Sequence, residues 1–317
     1  MYMAIRRPDA LVAKPPEAGT DVFAMDVGVS NQNPNFDSGF PVGFALLQNP
    51  TSGSNWNATS RLTGTKYLLT NSAGNEANYA DYTFDFSDGY IKGSLLASAY
   101  QSWMWKRGAG FDVVTDKGNG QTTKQIAHGL GVVPEMIWRK NRDTSDEWQV
   151  YHVGLNGGTN PYLWRIYFTS GGESNDQWTW DSAPTATHFT VGSNGAVNRN
   201  NQDFITMLFA SANDADGNPI SKVGSYTGNG SASGPIVTLG FSPRFILIKC
   251  TTGGTNWYLY DTLRGLTSGS DQRLQLNSSS NQTSADDMDP SATGFQVVST
   301  WDQLNGNNAT YIYYAHA

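Results

Sequence analysis

The sequence predicts an all-β fold: three tandem repeated β-sandwich domains behind an extended N-terminal arm. Three observations predict it. Short apolar or alternating runs are separated by Gly- and Asn-rich breakers throughout the 317 residues. The chain resembles itself at offsets of 106 to 110 residues. Only 15% of residues are charged, with 34 Gly and 13 Pro, and the long Ala/Glu/Lys/Leu stretches of helical bundles are missing. Aromatics at 12%, including 10 Trp, exclude a disordered chain.

Residues 1–21 read as the arm, because Lys14-Pro15-Pro16-Glu17-Ala18-Gly19-Thr20 is non-periodic and extended. The second and third copies, 111–217 and 218–317, share five landmarks in one order. Gly118-Asn119-Gly120 matches Gly228-Asn229-Gly230. Gly131 and Gly240 each open an apolar strand, and Trp148-Gln149-Val150-Tyr151 matches Trp257-Tyr258-Leu259-Tyr260. His188-Phe189-Thr190-Val191 pairs with Gly294-Phe295-Gln296-Val297, and Phe204–Ala210 pairs with Tyr311–Ala317 as the closing strand. A more diverged first copy spans 22–110: Gly39 precedes Trp56 as Gly131 precedes Trp148, and Tyr100–Trp105 closes it. Runs such as Phe245-Ile246-Leu247-Ile248 and Glu135-Met136-Ile137-Trp138 are apolar without alternation, as in strands covered on both faces or lying in a sandwich core. Breakers such as Asn156-Gly157-Gly158 and Thr252-Gly253-Gly254 supply the positive φ of tight turns. Helix is expected for no more than a turn or two, near Leu95 to Ala99. The brief links at Gly108-Ala109-Gly110 and Asn213–Pro219 predict stacked, semi-rigid units.

A formal charge of −7 argues against a nucleic-acid partner, which needs a basic face. The short basic clusters, Arg139-Lys140-Asn141-Arg142 among them, read as strand ends or turns. Cys250 is the single cysteine, so no disulfide forms within the chain; it reads as a small buried hydrophobe. The N-terminus lacks the apolar core of a signal peptide, and no window reaches the roughly 18 apolar residues of a membrane span.

No catalytic residue and no cofactor is assigned. The four His show no metal-ligand spacing, and His128 reads as a hydrogen-bonded turn residue. No Gly-x-Ser-x-Gly elbow occurs, and acids are scattered rather than paired. Asp214, Asp216 and Asn218 copy the alternating start of a calcium loop and are the candidate metal ligands. Pro219 stands where that loop needs Gly, so a solvated turn is the simpler reading for them and for Asp286-Asp287-Met288-Asp289. Trp56, Trp148 and Trp257 recur at matching places and are assigned to packing. Trp164, Trp178, Trp180 and Trp301 do not recur; they are the candidate contacts to glycans or to neighbouring subunits. Trp178 and Trp180 are expected to face the same way.

The run Trp103-Met104-Trp105-Lys106-Arg107-Gly108-Ala109-Gly110-Phe111-Asp112-Val113-Val114, followed by Gly118-Asn119-Gly120 and Ala127-His128-Gly129-Leu130-Gly131-Val132-Val133-Pro134, resembles a repeat domain of virion structural proteins from tailed phages of marine bacteria and cyanobacteria. Trp180–Thr185 and Gly224–Gly230 fit the same pattern, and the first copy departs from it. The resemblance implies a non-enzymatic virion component, made in the host cytoplasm. A tail fibre or receptor-binding part on host surface polysaccharide comes first. A capsid decoration or tail-adaptor protein is the alternative, and a polysaccharide depolymerase ranks last. Expected partners are further copies of the chain, a homotrimer above all, and other tail or capsid proteins through the arm.

Overall fold

The computed structural model describes residues 15–93 and 97–317. The chain is all-β. The first copy contains β1 (Phe23–Val27), β2 (Phe36–Asp37), β3 (Phe44–Gln48), β4 (Asn57–Ser60), β5 (Lys66–Leu69), β6 (Ala77–Asn78), β7 (Tyr82–Thr83), β8 (Gly89–Lys92) and β9 (Gln101–Trp105). The second contains β10 (Phe111–Lys117), β11 (Lys124–Ala127), β12 (Met136–Asn141), β13 (Gln149–His152), β14 (Trp164–Tyr167), β15 (Ser174–Asn175), β16 (Trp180–Ser182), β17 (His188–Val191), the short helix α1 (Gly195–Asn198) and β18 (Asp203–Phe209). A two-residue strand, β19 (Ala212–Asn213), leads into the third. There lie β20 (Pro219–Thr227), β21 (Ile236–Thr238), β22 (Phe245–Cys250), β23 (Trp257–Asp261), β24 (Asp271–Gln275), β25 (Thr283–Ala285), β26 (Met288–Ser291), β27 (Gly294–Val297), α2 (Asp302–Asn305) and β28 (Thr310–His316).

One topology occurs three times. The large sheets run β1-β9-β3-β4-β5-β6, β10-β18-β12-β13-β14-β15 and, with β19 added at its edge, β20-β28-β22-β23-β24-β25. Each faces a three-stranded sheet: β2-β8-β7, β11-β17-β16 or β21-β27-β26. All pairings are antiparallel. The expected helix near Leu95 to Ala99 lies partly outside the described residues; the rest is a 3₁₀ turn at Ala97–Ala99.

The central strands explain why their sequences do not alternate. Alternate residues of β22 face opposite ways: Ile246 and Ile248 enter the third sandwich, with Phe295 and Val297. Phe245 and Leu247 enter a different core, made by all three copies. Phe44, Leu46 and Trp105 of the first copy meet Trp138 and Phe209 of the second and Tyr314 of the third in that shared core. Phe44 lies 6.0 Å from Phe111, and Trp105 lies 6.1 Å from Phe209 and 5.8 Å from Phe245. The copies are therefore arranged in a ring around one aromatic core, and the expected stacking of separate units is corrected.

Equivalent bonds close the ring. The indole N–H of Trp56 donates to the Gln275 carbonyl at 2.9 Å, that of Trp148 to Leu69 at 2.8 Å, and that of Trp257 to Tyr167 at 2.8 Å. A second set runs from the sixth-strand edge of each copy to its neighbour. Glu76 N–H donates to Arg142 O, Glu173 to Thr251 and Gln282 to Pro50, at 2.7–2.8 Å. Both sets join first to second, second to third and third to first. The contact between third and first is thus equivalent to the other two, which gives the chain a pseudo-threefold axis. Among the described residues, only the first seam adds a bidentate ion pair, Arg142 with Glu76, at 2.8 and 3.0 Å.

The described part of the arm lies on the chain itself. Pro16 O accepts the Ala215 N–H at 2.8 Å, and a Cβ on Gly19 would fall 2.8 Å from Ala317 O. Residues 1–14 lie outside the described residues. The basic cluster at 139–142 is a strand end, the last residues of β12 and the one after it. Arg139 is fully buried in β12, where its guanidinium holds Asp116 at 2.7 and 3.0 Å and stands over Phe204 at 4.4 Å.

Candidate functional site

Trp178 is the most exposed of the candidate tryptophans, at 59%. It stands in a turn between β15 and β16, and the turn is tied down on every side. Asp176, nine-tenths buried, accepts the Trp178 N–H at 2.8 Å, an Asp turn that leads the chain outward. The same carboxylate pairs with Arg165 at 2.8 Å and accepts from Thr179 Oγ1 at 3.2 Å and Asn194 Nδ2 at 3.4 Å. The Trp178 carbonyl accepts from Asn194 N–H at 2.9 Å, and a Cβ at Gly192 would collide with it at 2.4 Å. Backbone donor and acceptor are both fixed while the indole lies in solvent. Such a ring pays little ordering entropy when a planar apolar surface stacks on it.

The turn also corrects the expectation for Trp180. Because residues 177–179 are a turn and not a strand, period-two alternation does not apply, and Trp180 points inward. It is 2% exposed, set edge-on to Tyr151 at 6.1 Å in the second sandwich core. Trp164 is half-buried and packs on the central core, so it too serves packing. Trp301 remains accessible at 37%, with the Arg273 guanidinium over its ring at 4.3 Å and Tyr258 at 5.2 Å.

The surviving aromatics sit at one corner of the repeat. Trp301 occupies the N-cap position of α2 that Asn194 occupies in α1, and Asn194 is the residue that holds Trp178. In the first copy the sixth-to-seventh strand connection carries Tyr79, 37% exposed, with Lys92 Nζ 5.2 Å from its ring. Tyr79 is absent from the sequence-derived candidates, since a single Tyr between weak strands carries no periodic signal. Among the described residues each copy thus presents one exposed aromatic; a cation stands at the ring in the first and third copies, Lys92 and Arg273, whereas Arg165 of the second is paired with Asp176.

A polar cup of about 420 Å³ opens on the pseudo-threefold axis, where the fifth strands of all three copies end. In the first and third copies an Asn pair shapes its wall. Asn71 Oδ1 accepts the Trp56 N–H at 3.0 Å, and its amide donates to Asn55 at 2.8 Å. Asn277 does the same with Trp257 and Asn256, both at 2.9 Å. The second copy places Glu147 and Thr169 at these positions, so the cup has one acid.

The geometry of Asp214 matches the solvated turn. Its Oδ1 accepts the N–H of Asp216 at 3.0 Å and of Asn218 at 2.8 Å, and its Oδ2 accepts Asn218 Nδ2 at 3.0 Å. The Asn218 amide and these backbone donors hold the carboxyl below its ordinary range. The residues close their own turn. Among the described residues no group of three His, Cys, Asp or Glu converges. The Asp214 turn is solvated as expected, but Asp287 is not: it is 1% exposed and bonds Tyr260 OH at 2.9 Å and Arg273 at 2.8 Å. Beside it Asp271 is fully buried, accepts Asp287 and Met288 N–H, and is pushed up to about 6, chiefly by burial. Both acids are sealed in the sandwich, away from solvent. His128 accepts from Leu130 N–H and its Nε2 lies 3.1 Å from Thr185 O, a structural turn residue.

No curated protein matches this chain. The profile of a domain of unknown function, DUF7483, matches residues 97–317, which hold the closing strand of the first copy and the whole of the second and third. The chain belongs to the DUF7483 family.

Proposed function

We propose that the chain is a non-enzymatic virion component of a tailed phage, a tail-fibre or receptor-binding element that holds host surface glycans. The observation that carries the reading is the Trp178 turn: an indole 59% exposed on backbone fixed by Asp176 and Asn194. Stacking of a sugar's apolar face on such a ring, with Asn, Gln and Thr hydrogen-bonding groups close by, is the usual chemistry of saccharide recognition. The matching corners at Tyr79 and Trp301 support multivalent attachment, in which weak sites on one rigid body add through effective concentration. The proposal includes self-association, a trimer first, and attachment to other tail or capsid proteins through the N-terminal arm.

The pseudo-threefold axis favours a second reading, a capsid decoration or tail adaptor seated on a threefold partner. The deciding experiment measures binding of the purified chain and of Trp178→Ala to bacterial surface polysaccharides. The adhesion reading expects saturable binding weakened at least tenfold by the substitution, with polymer length unchanged. Absence of binding removes adhesion and leaves the adaptor reading; shortening of the polymer refutes both. Scattering mass against the 34.5 kDa chain tests self-association.

A further inference from the structure

The copies differ most usefully at a slot between the third-to-fourth strand loop and the short helix. In the second copy this place is filled. Arg199 reaches Thr144 Oγ1 at 3.1 Å and Asp146 at 3.4 Å, and Asn141 bonds Asp146 at 3.0 Å and Gln202 at 2.6 Å. The counterparts in the third copy are small. Cys250 replaces Asn141, Gly253 replaces Thr144, Thr255 replaces Asp146, Gly306 replaces Arg199 and Ala309 replaces Gln202. Four of these exchanges remove volume and the fifth, Asp146 to Thr255, removes a charge at similar size; they leave a cavity of about 400 Å³, within the size range of small-ligand sites.

Backbone conformation does not demand the glycine. Gly306 has φ −59° and ψ 138°, and Arg199 has φ −63° and ψ 133°. A Cβ at Gly306 would meet nothing nearer than 3.3 Å. The opposite exchange occurs at the start of the helix, where Gly195 of the second copy becomes Asp302 in the third. The Asp302 carboxylate has no ion pair or side-chain hydrogen bond among the described residues, and it lines the cavity with Thr252, Gln303 and Asn307. Trp301 directly precedes it, and Tyr258, which packs on Trp301, donates to Gln303 at 3.2 Å.

We infer that this slot of the third copy is a binding site for a single sugar residue of a glycan, with Asp302 accepting from vicinal hydroxyls and Gln303 and Asn307 lining the slot beside it. One carboxylate among neutral amides and hydroxyls suits a polyhydroxylated ligand, which needs many directional bonds and little net charge. The inference rests on the glycan reading and assigns it a place.

Saturation-transfer NMR on the full chain with glucose, galactose, rhamnose and N-acetylglucosamine tests it, with free arginine as the cationic probe. Gly306→Arg refills the slot as the second copy does. Asp302→Asn keeps the slot and removes the charge, and serves should the first variant fold poorly. The expected result is transfer to at least one sugar, lost in Gly306→Arg, weakened about tenfold in Asp302→Asn and retained in Trp178→Ala. Sugar transfer that survives in both slot variants but vanishes in Trp178→Ala overturns the slot and leaves the glycan reading standing. Slot-dependent transfer to arginine alone overturns the sugar assignment. No transfer to sugars, together with no polysaccharide binding, removes both.

Discussion

Replacing Trp148 by Phe tests the ring at one bond. Trp148 is fully buried, its ring lies 5.3 Å from Phe168, and its N–H reaches across the seam to Leu69 O. Phenylalanine keeps an aromatic ring against Phe168 but supplies no donor, so the Leu69 carbonyl loses its partner, at about 1–3 kcal/mol. The smaller ring leaves a void that adds about 1 kcal/mol. The expected loss is roughly 2–4 kcal/mol, read as a lower urea midpoint at unchanged slope. Because the ring joins one core, far-UV dichroism and tryptophan fluorescence should still give one coincident transition. Trp56→Phe and Trp257→Phe should fall in the same range, since each removes the equivalent bond. A loss under about 0.5 kcal/mol, the level of a surface substitution, would refute the reasoning.

Acid should open the ring. His152, whose Nε2 lies 3.2 Å from Tyr313 O across the second seam, is held down to about 4 by burial. His316, stacked on Phe23 at 4.7 Å, is held down to about 3, again by burial. Both fold as the neutral form. Their contribution is therefore complete above the unfolded value near 6.5 and lost as pH falls below it, by about 3 kcal/mol for His152 alone at its lower limit. Melting temperature should fall steadily from pH 6.5 to 4, and His152→Gln should flatten that slope; an unchanged slope counts against it. Lys249→Gln should change stability by less than about 1 kcal/mol, because Gln48 at the same place in the first copy donates to Ser54 O as Lys249 donates to the matching Thr255 O. Trp178→Ala should leave the melting temperature within about 1 °C, since the residue is 59% exposed and belongs to none of the four hydrophobic cores. Calcium and chelator should leave the melting temperature equal, given that both Asp214 oxygens already accept bonds within their own turn.

The triplication was legible because each landmark marks a structural necessity: a positive-φ turn at Gly120 and Gly230, a doubly covered strand at Phe245–Ile248, a seam tryptophan at 56, 148 and 257. What those tryptophans touch was not legible. Their acceptors are carbonyls 79 to 219 residues away, and a backbone oxygen leaves no mark on sequence. The unalternating apolar strands did signal two covered faces, but a sandwich alone would give that pattern; the second cover comes from the other copies. Of the four candidate tryptophans, Trp178 and Trp301 lie exposed, whereas Trp164 packs on the central core and Trp180 turns inward, because the Asp176 turn shifts the phase just before its strand. The hollow slot was hidden for another reason. Gly306 reads as one more turn glycine until its backbone is compared with that of Arg199.

Native-state amide hydrogen exchange on the intact chain tests the shared ring core most directly. The central strands β3, β12 and β22 should exchange with one common free energy, equal to that of global unfolding, because opening any copy exposes Phe44, Trp138 and Phe245 together. A copy whose central strand exchanges several kcal/mol more easily than the other two would show that the three cores are separate.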